Sequence, residues 1–425
     1  MKKRFLAVTL GLSLLLTLGV VGVSAKKVTV TYWHGWVVDH EKAAMDEVIR
    51  MFNETHPDIE VIGVAGTTNE KLLTAMAGGN PPDAASIWST QTLAEWASRG
   101  SLVQLDPLLE RDNIDRDVFV PAALASSTYD GRLYGLPIVV DPFVLYYNKD
   151  LFREAGLDPN QPPLTLSELL AYDEKITRQD AAGAISTLGF NNGASTDFLY
   201  YVFGGGFYDA EAGKPIGDNP ANVRALTWLV DLYNRYGTTN VMAFQNSKWA
   251  NALSNPMISG AVGMQLDGDW VCLFMEKFAP DTDWGTAYFP YEDGYPERAK
   301  MSAVDGAINI IPKGAKNAEA AWEFISWFQT TPEATSLFAR GIANGPPLRS
   351  VAADPDFSMV PQYKTVTDIL LEGILYPWPA LPYSALYYDE LSKAQELALY
   401  GQKSPEKALQ DMQARIEREH AKHNR

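Results

Sequence analysis

The sequence predicts an α/β fold in two lobes, and three features carry that expectation. Strand-like and helix-like stretches alternate three times between residues 28 and 100, the pattern of a parallel sheet flanked by helices. The 425 residues suffice for two hydrophobic cores. A strand-like run over Ile138–Tyr147 is broken at Asp141-Pro142, and proline, which cannot donate to a ladder, marks an edge, a bulge or a change of sheet.

In chain order, Val28–Tyr32 alternates as a strand. Glu41–Thr55 follows as a helix, with Met45, Val48, Ile49 and Phe52 on one face. Ile59–Val64 is β-branched and strand-like, Thr68–Ala77 is helical, and Gly78-Gly79 stops it. The turn Asn80-Pro81-Pro82-Asp83 leads into a strand over Ala84–Trp88, and Thr92–Arg99 is a helix closed by Gly100. Thr165 and Glu168 form a capping box opening a helix to about Thr177. Asn222–Tyr236 is helical, Ala261–Leu266 and Ala307–Ile311 are buried strands, and Lys316–Thr330 is an apolar helix with Asn317 as its N-cap. Thr331-Pro332 starts the next helix. Ser404-Pro405 opens the last one, which packs Leu409, Met412 and Ile416. No repeat and no low-complexity linker separates the lobes, so the connections between them are expected to be short and made more than once.

Composition narrows the function. An apolar fraction of 46% and a charged fraction of 20% describe a globular chain, and eleven Trp with twenty Tyr supply many flat, amphipathic rings. Residues 1–25 read as a cleavable export signal: the basic Met1-Lys2-Lys3-Arg4, an apolar run from Phe5 to Val23, and small residues to Ala25. No cysteine follows the site to take a lipid anchor, so the mature chain is expected to be exported and free. Loss of three bases takes the net charge from −17 to −20, which argues against nucleic acid and anionic membranes as partners. Cys272 is the only cysteine, which excludes an internal disulfide, and five scattered histidines offer it no base.

Five segments, in this order and after a signal segment, resemble the extracellular solute-binding proteins of sugar ABC importers, the family that includes maltodextrin-binding proteins. They are the first strand with Trp33 and its helix; Asn80-Pro81-Pro82-Asp83 with its strand; Tyr147-Asn148-Lys149-Asp150-Leu151 and Ala155-Gly156-Leu157 through Pro162-Pro163; Gly260–Met264 to Trp270; and Ile311–Asn317 to Phe328. Leu166 and Ala315 depart from the family's usual Trp and Ser, both at helix starts. The resemblance implies a periplasmic-binding-protein fold of type II, a ligand cleft between the lobes and three hinge crossovers, near Pro137–Asp141, Ala287–Pro290 and Gly341–Pro347. Lobe one would be 26–138 plus 290–343, and lobe two 139–289 plus 344–425. It also implies a monomer in the periplasm, with no cofactor, that delivers a carbohydrate to permease subunits served by a separate ATPase.

By the same resemblance, Trp270 is the sugar-stacking ring, Trp88 a cleft aromatic with Gln91 beside it, and Asp141 stands where maltodextrin-binding proteins carry a sugar-binding Glu. Trp33, His34 and Trp36 follow the first strand at its carboxyl end, where ligands bind in open α/β sheets. Asn191, Asn192 and Ser195 precede Gly204-Gly205-Gly206, which lacks the context of a nucleotide-binding loop. Asp267 and Asp269 flank Trp270. Trp378, Tyr383 or Tyr387 provides a further ring, and Arg349 follows the third crossover. For most of these the competing reading is a core aromatic or a surface turn. Three alternatives stand beside the sugar receptor: a glycerol-phosphate or polyol receptor, a polyamine or metal receptor of the same fold, and a secreted glycoside hydrolase. The last needs a defined carboxylate pair, and the sequence singles out none.

Overall fold

The computed structural model describes residues 27–193, 197–248, 255–357 and 360–423. The proposed export signal and Ser195 lie outside them. Among the described residues no helix is long and apolar enough to cross a membrane.

The first sheet has five strands in the order Ile59–Val64, Val28–Trp33, Ala84–Trp88, Ala307–Ile310, Leu136–Pro137. Its first three are parallel, as the alternation predicts; the last two return from later in the chain and run antiparallel to their neighbours. Helix Asp39–Thr55 buries Met45, Val48, Ile49 and Phe52, and helix Ala318–Thr330 buries Trp322, Phe324, Ile325 and Phe328. Each such side chain contributes roughly 1.5–3 kcal/mol on removal from water. Asn317 stands at the N-cap but does not cap with its side chain. Its Nδ2 donates instead to the Thr29 carbonyl, and its N–H donates to Asp83 Oδ1, which ties the helix to the sheet.

The second sheet has seven strands. Along one path they are Ile374–Pro377, Met301–Asp305, Asp141–Asn148, Val262–Gly268, Ile185–Asn191 and Arg178–Gln179, with Trp284–Ala287 also pairing with Asp141–Asn148. The central Asp141–Asn148 is buried at every position. Thr165 and Glu168 do form the capping box, at the start of helix Leu166–Ile176. The last helix, Pro405–His423, buries Leu409, Met412 and Ile416 and packs on Ser384–Leu399.

The chain changes sheet three times within a small volume. Leu136–Pro137 belongs to the first sheet and Asp141–Asn148 to the second, so the proline break is a change of sheet. Where Pro142 interrupts the ladder, the Ser302 hydroxyl accepts the next N–H, that of Phe143, at 2.8 Å. The second change falls later than expected, at Gly306 and not at Ala287–Pro290. Met301–Asp305 is a strand of the second sheet, with Asp305 beside Asp141, and Ala307 then pairs with Trp88 in the first. A Cβ at Gly306 would collide with the Val139 carbonyl. The third passage follows helix Pro332–Ile342, whose C-cap Ala343 is left-handed (φ 58°), and the Val140 N–H donates to the Gly345 carbonyl at 2.9 Å. The three passages are thus packed on one another.

Candidate functional site between the two sheets

A cleft of about 380 Å³ opens beside these passages. One wall is the start of helix Thr90–Ser98, presenting Ser89, Thr90, Gln91 and Thr92. Ser89 holds a left-handed φ of 80°, the turn that brings the helix off its strand. The opposite wall is Phe143, Ala303, Val304, Asp305, Tyr376, Trp378, Ala385, Tyr388 and Asp389, and Asp197 closes one side. Tyr376 lies flat on Tyr201 with centroids 4.5 Å apart, and Trp378 is wedged among Phe207, Tyr387 and Tyr388. The rings are therefore fixed before any ligand arrives. The Trp378 indole N–H and Gln91 Oε1 are both buried without a hydrogen-bond partner, and buried polar groups in that condition ask for an explanation.

Asp305 is exposed on the cleft floor, yet protein surrounds it. That burial pushes its carboxyl up to about 6; the Gly306 N–H opposes the shift and the Asp197 charge adds to it. The Tyr388 hydroxyl is pushed up to about 12, by burial first and then by Asp197, Asp305 and Asp389. The cleft thus combines an aromatic wall, a polar edge and an acidic floor. Such a surface can stack on an apolar ring face and accept hydrogen bonds from hydroxyls.

Of the residues expected at the site, Gln91 and Trp378 line the cleft. Trp88 is 41% exposed at the end of its strand, next to Ser89, and meets Trp36 edge-on at 5.7 Å. Trp270 stands one ring back: it packs edge-on against Phe143 at 6.0 Å and its ring covers Gly268. Tyr387 is fully buried behind Trp378, its hydroxyl donating to the Phe207 carbonyl.

The others lie elsewhere. Asp141 is 2% exposed and is held at the sheet change by Asn344. His34 and Trp36 are buried in lobe one, because the chain turns inward after its first strand. His34 sits between Tyr32 and Trp36, and burial pushes its imidazole down to about 4. Trp33 lines a separate groove with Val64, Thr67 and Lys71. Asn191 is buried, bonded to Gln265 and Gln245, and Asn192 is bonded to Tyr233 and Gln245. Asp267 is buried on Gln265 and pushed up to about 6 by burial, and Asp269 is buried beside Asn344. Neither is a surface turn residue. Tyr383 pairs with His420 under the last helix, and Arg349 lines a groove with Val120, Leu370 and Glu372.

The sequence reading missed Phe143, Asp197, Asp305, Tyr376, Tyr388 and Asp389. Asp305 had one usable signal, a carboxylate directly before a glycine and a buried strand. Tyr388 shares a helix with Tyr387, and only the angular offset of one residue decides which of them meets the cleft.

Comparison with known proteins agrees with this geometry. A family model described as bacterial extracellular solute-binding protein matches residues 38–335. The arabinooligosaccharide-binding protein of Bacillus subtilis (strain 168) is 27% identical over 351 residues, 78% of this chain and 77% of that protein. The sn-glycerol-3-phosphate-binding periplasmic protein of Salmonella typhimurium (strain LT2) is 32% identical over 176 residues, covering 39% of each. Among solved structures, CpMnBP1 with mannotriose bound superimposes with a TM-score of 0.81 at 30% identity, covering 91% of this chain and 99% of that one. The two-lobed α/β fold, type II in the binding-protein sense, is therefore the fold of this chain, which belongs to the bacterial extracellular solute-binding proteins.

Proposed function

We propose that this chain is the exported receptor of a carbohydrate ABC importer, that it binds a sugar or oligosaccharide in the cleft between the two sheets, and that it carries out no turnover. One observation carries the reading: the preset wall of Tyr376, Trp378 and Tyr388 faces the polar edge Ser89–Thr92, with a donor on Trp378 and an acceptor on Gln91 left unpartnered. A pyranose or furanose offers a C–H face to such rings and hydroxyls to such a rim. A relative named for arabinooligosaccharide binding and a similar structure with mannotriose bound support it. Closure about the three passages would report the loaded state to permease subunits, with ATP hydrolysis in a separate chain. Loss of residues 1–25 would release the receptor, as a monomer, into the periplasm. Divided by the observed sheets, lobe one is roughly 27–138 with 307–343, and lobe two is the remainder.

A thermal-shift panel tests this: mannobiose, mannotriose, arabino- and malto-oligosaccharides, polyols, glycerol phosphates, spermidine and divalent metals. Ligand at a hundred times its dissociation constant adds about 2.7 kcal/mol of stability, a clear rise in melting temperature. A rise with spermidine or a metal and none with any carbohydrate would overturn the reading. Recovery of cleaved oligosaccharide after incubation would replace it with a hydrolase.

A further inference from the structure

The triple glycine Gly204-Gly205-Gly206 belongs to no nucleotide-binding loop, yet the space it leaves is filled. It closes the short helix Phe198–Val202, every residue of which is buried. Gly204 is left-handed (φ 74°). Its N–H returns to the Tyr201 carbonyl and that of Gly205 to the Tyr200 carbonyl, both at 2.8 Å. A Cβ at Gly204 would stand 2.4 Å from Arg298 Nη2, and one at Gly205 would stand 1.9 Å from Asn222 Oδ1. These glycines therefore make room for a guanidinium and an amide that arrive from other stretches of the chain.

The guanidinium is held from several directions. Arg298 Nη1 donates to the Val202 carbonyl at 3.3 Å and to Glu292 Oε2, and its Cζ lies 3.9 Å from the centroid of the Tyr295 ring. Arg224 Nε donates to Glu292 Oε1 at 3.3 Å, and Arg224 Nη2 donates to the Phe203 carbonyl at 3.0 Å. Two cations joined through Glu292 thus hold the carbonyls at the end of the helix, where the backbone lacks partners of its own and positive charge is favoured. So short a helix is not stable by itself, and these outside contacts set where it sits.

What the helix carries is part of the cleft. Asp197, at its N-cap position, lines the cleft. Tyr201, next to the Val202 carbonyl, lies flat on Tyr376 with planes 16° apart, and Tyr376 is a ring of the cleft wall. The Arg298 charge also reaches that ring: burial raises the Tyr376 hydroxyl and Arg298 opposes the shift. Arg298 itself is not among the lining residues.

We propose that Arg298 is a positioning residue for the ligand wall: seated against Gly204, it fixes the helix that holds Tyr201 against Tyr376, and so presets a ring on which the ligand stacks. The inference rests on the carbohydrate reading of the cleft and adds to it a residue that acts through others. A ring already in place need not be ordered when ligand binds, so loosening the two tyrosines lowers affinity by about tenfold. Lysine is no substitute, since a point charge cannot reach Val202 and Glu292 and also lie flat on Tyr295.

The test compares the mature wild type with Arg298→Met and Arg298→Lys, each with ring-labelled tyrosine and each melted first without ligand. Stacked rings displace each other's NMR signals, and Tyr201→Phe and Tyr376→Phe assign the two that matter. Calorimetry with mannobiose, mannotriose and arabinotriose then gives affinities. In both Arg298 variants the Tyr201 and Tyr376 signals are expected to move towards those of unstacked tyrosine, and a sugar that binds the wild type is expected to bind about tenfold more weakly. A role in stability alone lowers the melt and leaves both signals in place. Should Arg298→Met fail to fold, Arg298→Lys carries the same readouts. Signals unmoved in Arg298→Met overturn the inference, and signals unmoved in Arg298→Lys overturn its assignment to the guanidinium. Moved signals with an unchanged sugar affinity overturn the link to binding and leave the carbohydrate reading standing. If no sugar binds the wild type while the signals move, the carbohydrate reading falls and the hold of Arg298 on the wall survives.

Discussion

Asn344 donates its side-chain amide to Asp141 Oδ1 at 2.7 Å, joining the third passage between the sheets to the first. The same Nδ2 lies 3.3 Å from Asp269 Oδ1, and the Tyr363 hydroxyl donates to Asp269 Oδ2 at 3.1 Å. Burial, then the charges of Asp269 and Asp305, pushes Asp141 well above the usual carboxylate range; burial does the same to Asp269, against its hydrogen bonds. The other titratable groups acting here are Cys272, Tyr146 and Tyr363, and none of them is a base. Two buried carboxyls without a cation cannot both ionise cheaply, and the pair is expected to share one proton.

Removing the amide should therefore hurt more than neutralising a carboxyl. Asn344→Leu leaves both acids short of a donor and is expected to cost about 1–3 kcal/mol in urea melts at pH 7. Asp141→Asn keeps the shape, supplies the neutral partner that the shared proton already provides, and should cost clearly less. If Asp141→Asn proves the costlier of the two, Asp141 is ionised and the shared-proton account is wrong.

Stability should rise on mild acidification. Asp141 and Asp269 are raised by burial, and Asp267 and Asp305 are raised to about 6. The folded chain thus holds these protons more tightly than the unfolded one, so stability falls as pH rises through the folded values. Asp112 and Asp411, lowered to about 2 by their hydrogen bonds to Arg111 and to Lys403 and Lys407, oppose this only at lower pH; His34, pushed down to about 4 by burial, opposes it inside the window and offsets part of the gain that the four acids supply. Melting temperature recorded between pH 8 and 5 should climb towards 5; a fall over that window contradicts the burial of these acids.

Much of the scaffold was legible because it is local. The spacing of Met45, Val48, Ile49 and Phe52, the Thr165/Glu168 capping box and the apolar face of the last helix each lie within a few turns of chain. Met301–Asp305 was not legible: five residues with no alternation, the first four buried only because Asp141–Pro142 and Ile374–Pro377 flank the strand. Missing that strand moved the expected second passage from Gly306 to Ala287–Pro290. The site was harder still, since its lining comes from six separate stretches. Asp141 and Trp270 sit next to cleft-forming residues, and their removal from the lining depends on Asn344 and on the ring of Phe143, neither of which is close in sequence.

The two tryptophans should separate in binding assays. Trp378→Ala removes a cleft ring and its unpartnered donor, and is expected to weaken binding of whichever panel sugar binds by about 100-fold. Trp270→Ala withdraws support from Phe143 and should cost about tenfold or less. Equal losses measured by calorimetry would place Trp270 in direct contact with ligand.

The crowding of the passages makes their glycines sensitive. A Cβ at Gly345 would collide with the Val140 carbonyl and sit 3.4 Å from Asp269 Oδ2, so Gly345→Ala must push the first and third passages apart. Gly401 makes a useful reference: its φ is +66°, yet nothing lies within 4 Å of an added Cβ. Gly401→Ala is expected to cost about 1 kcal/mol for the left-handed backbone alone. Gly345→Ala should exceed it by about 1–3 kcal/mol of overpacking, and, because the collision lies where the passages between the sheets pack on one another, it should also reduce the compaction expected on ligand binding in small-angle scattering. A Gly345→Ala chain as stable as Gly401→Ala and compacting normally would show that the passages slide past one another without the close packing seen here.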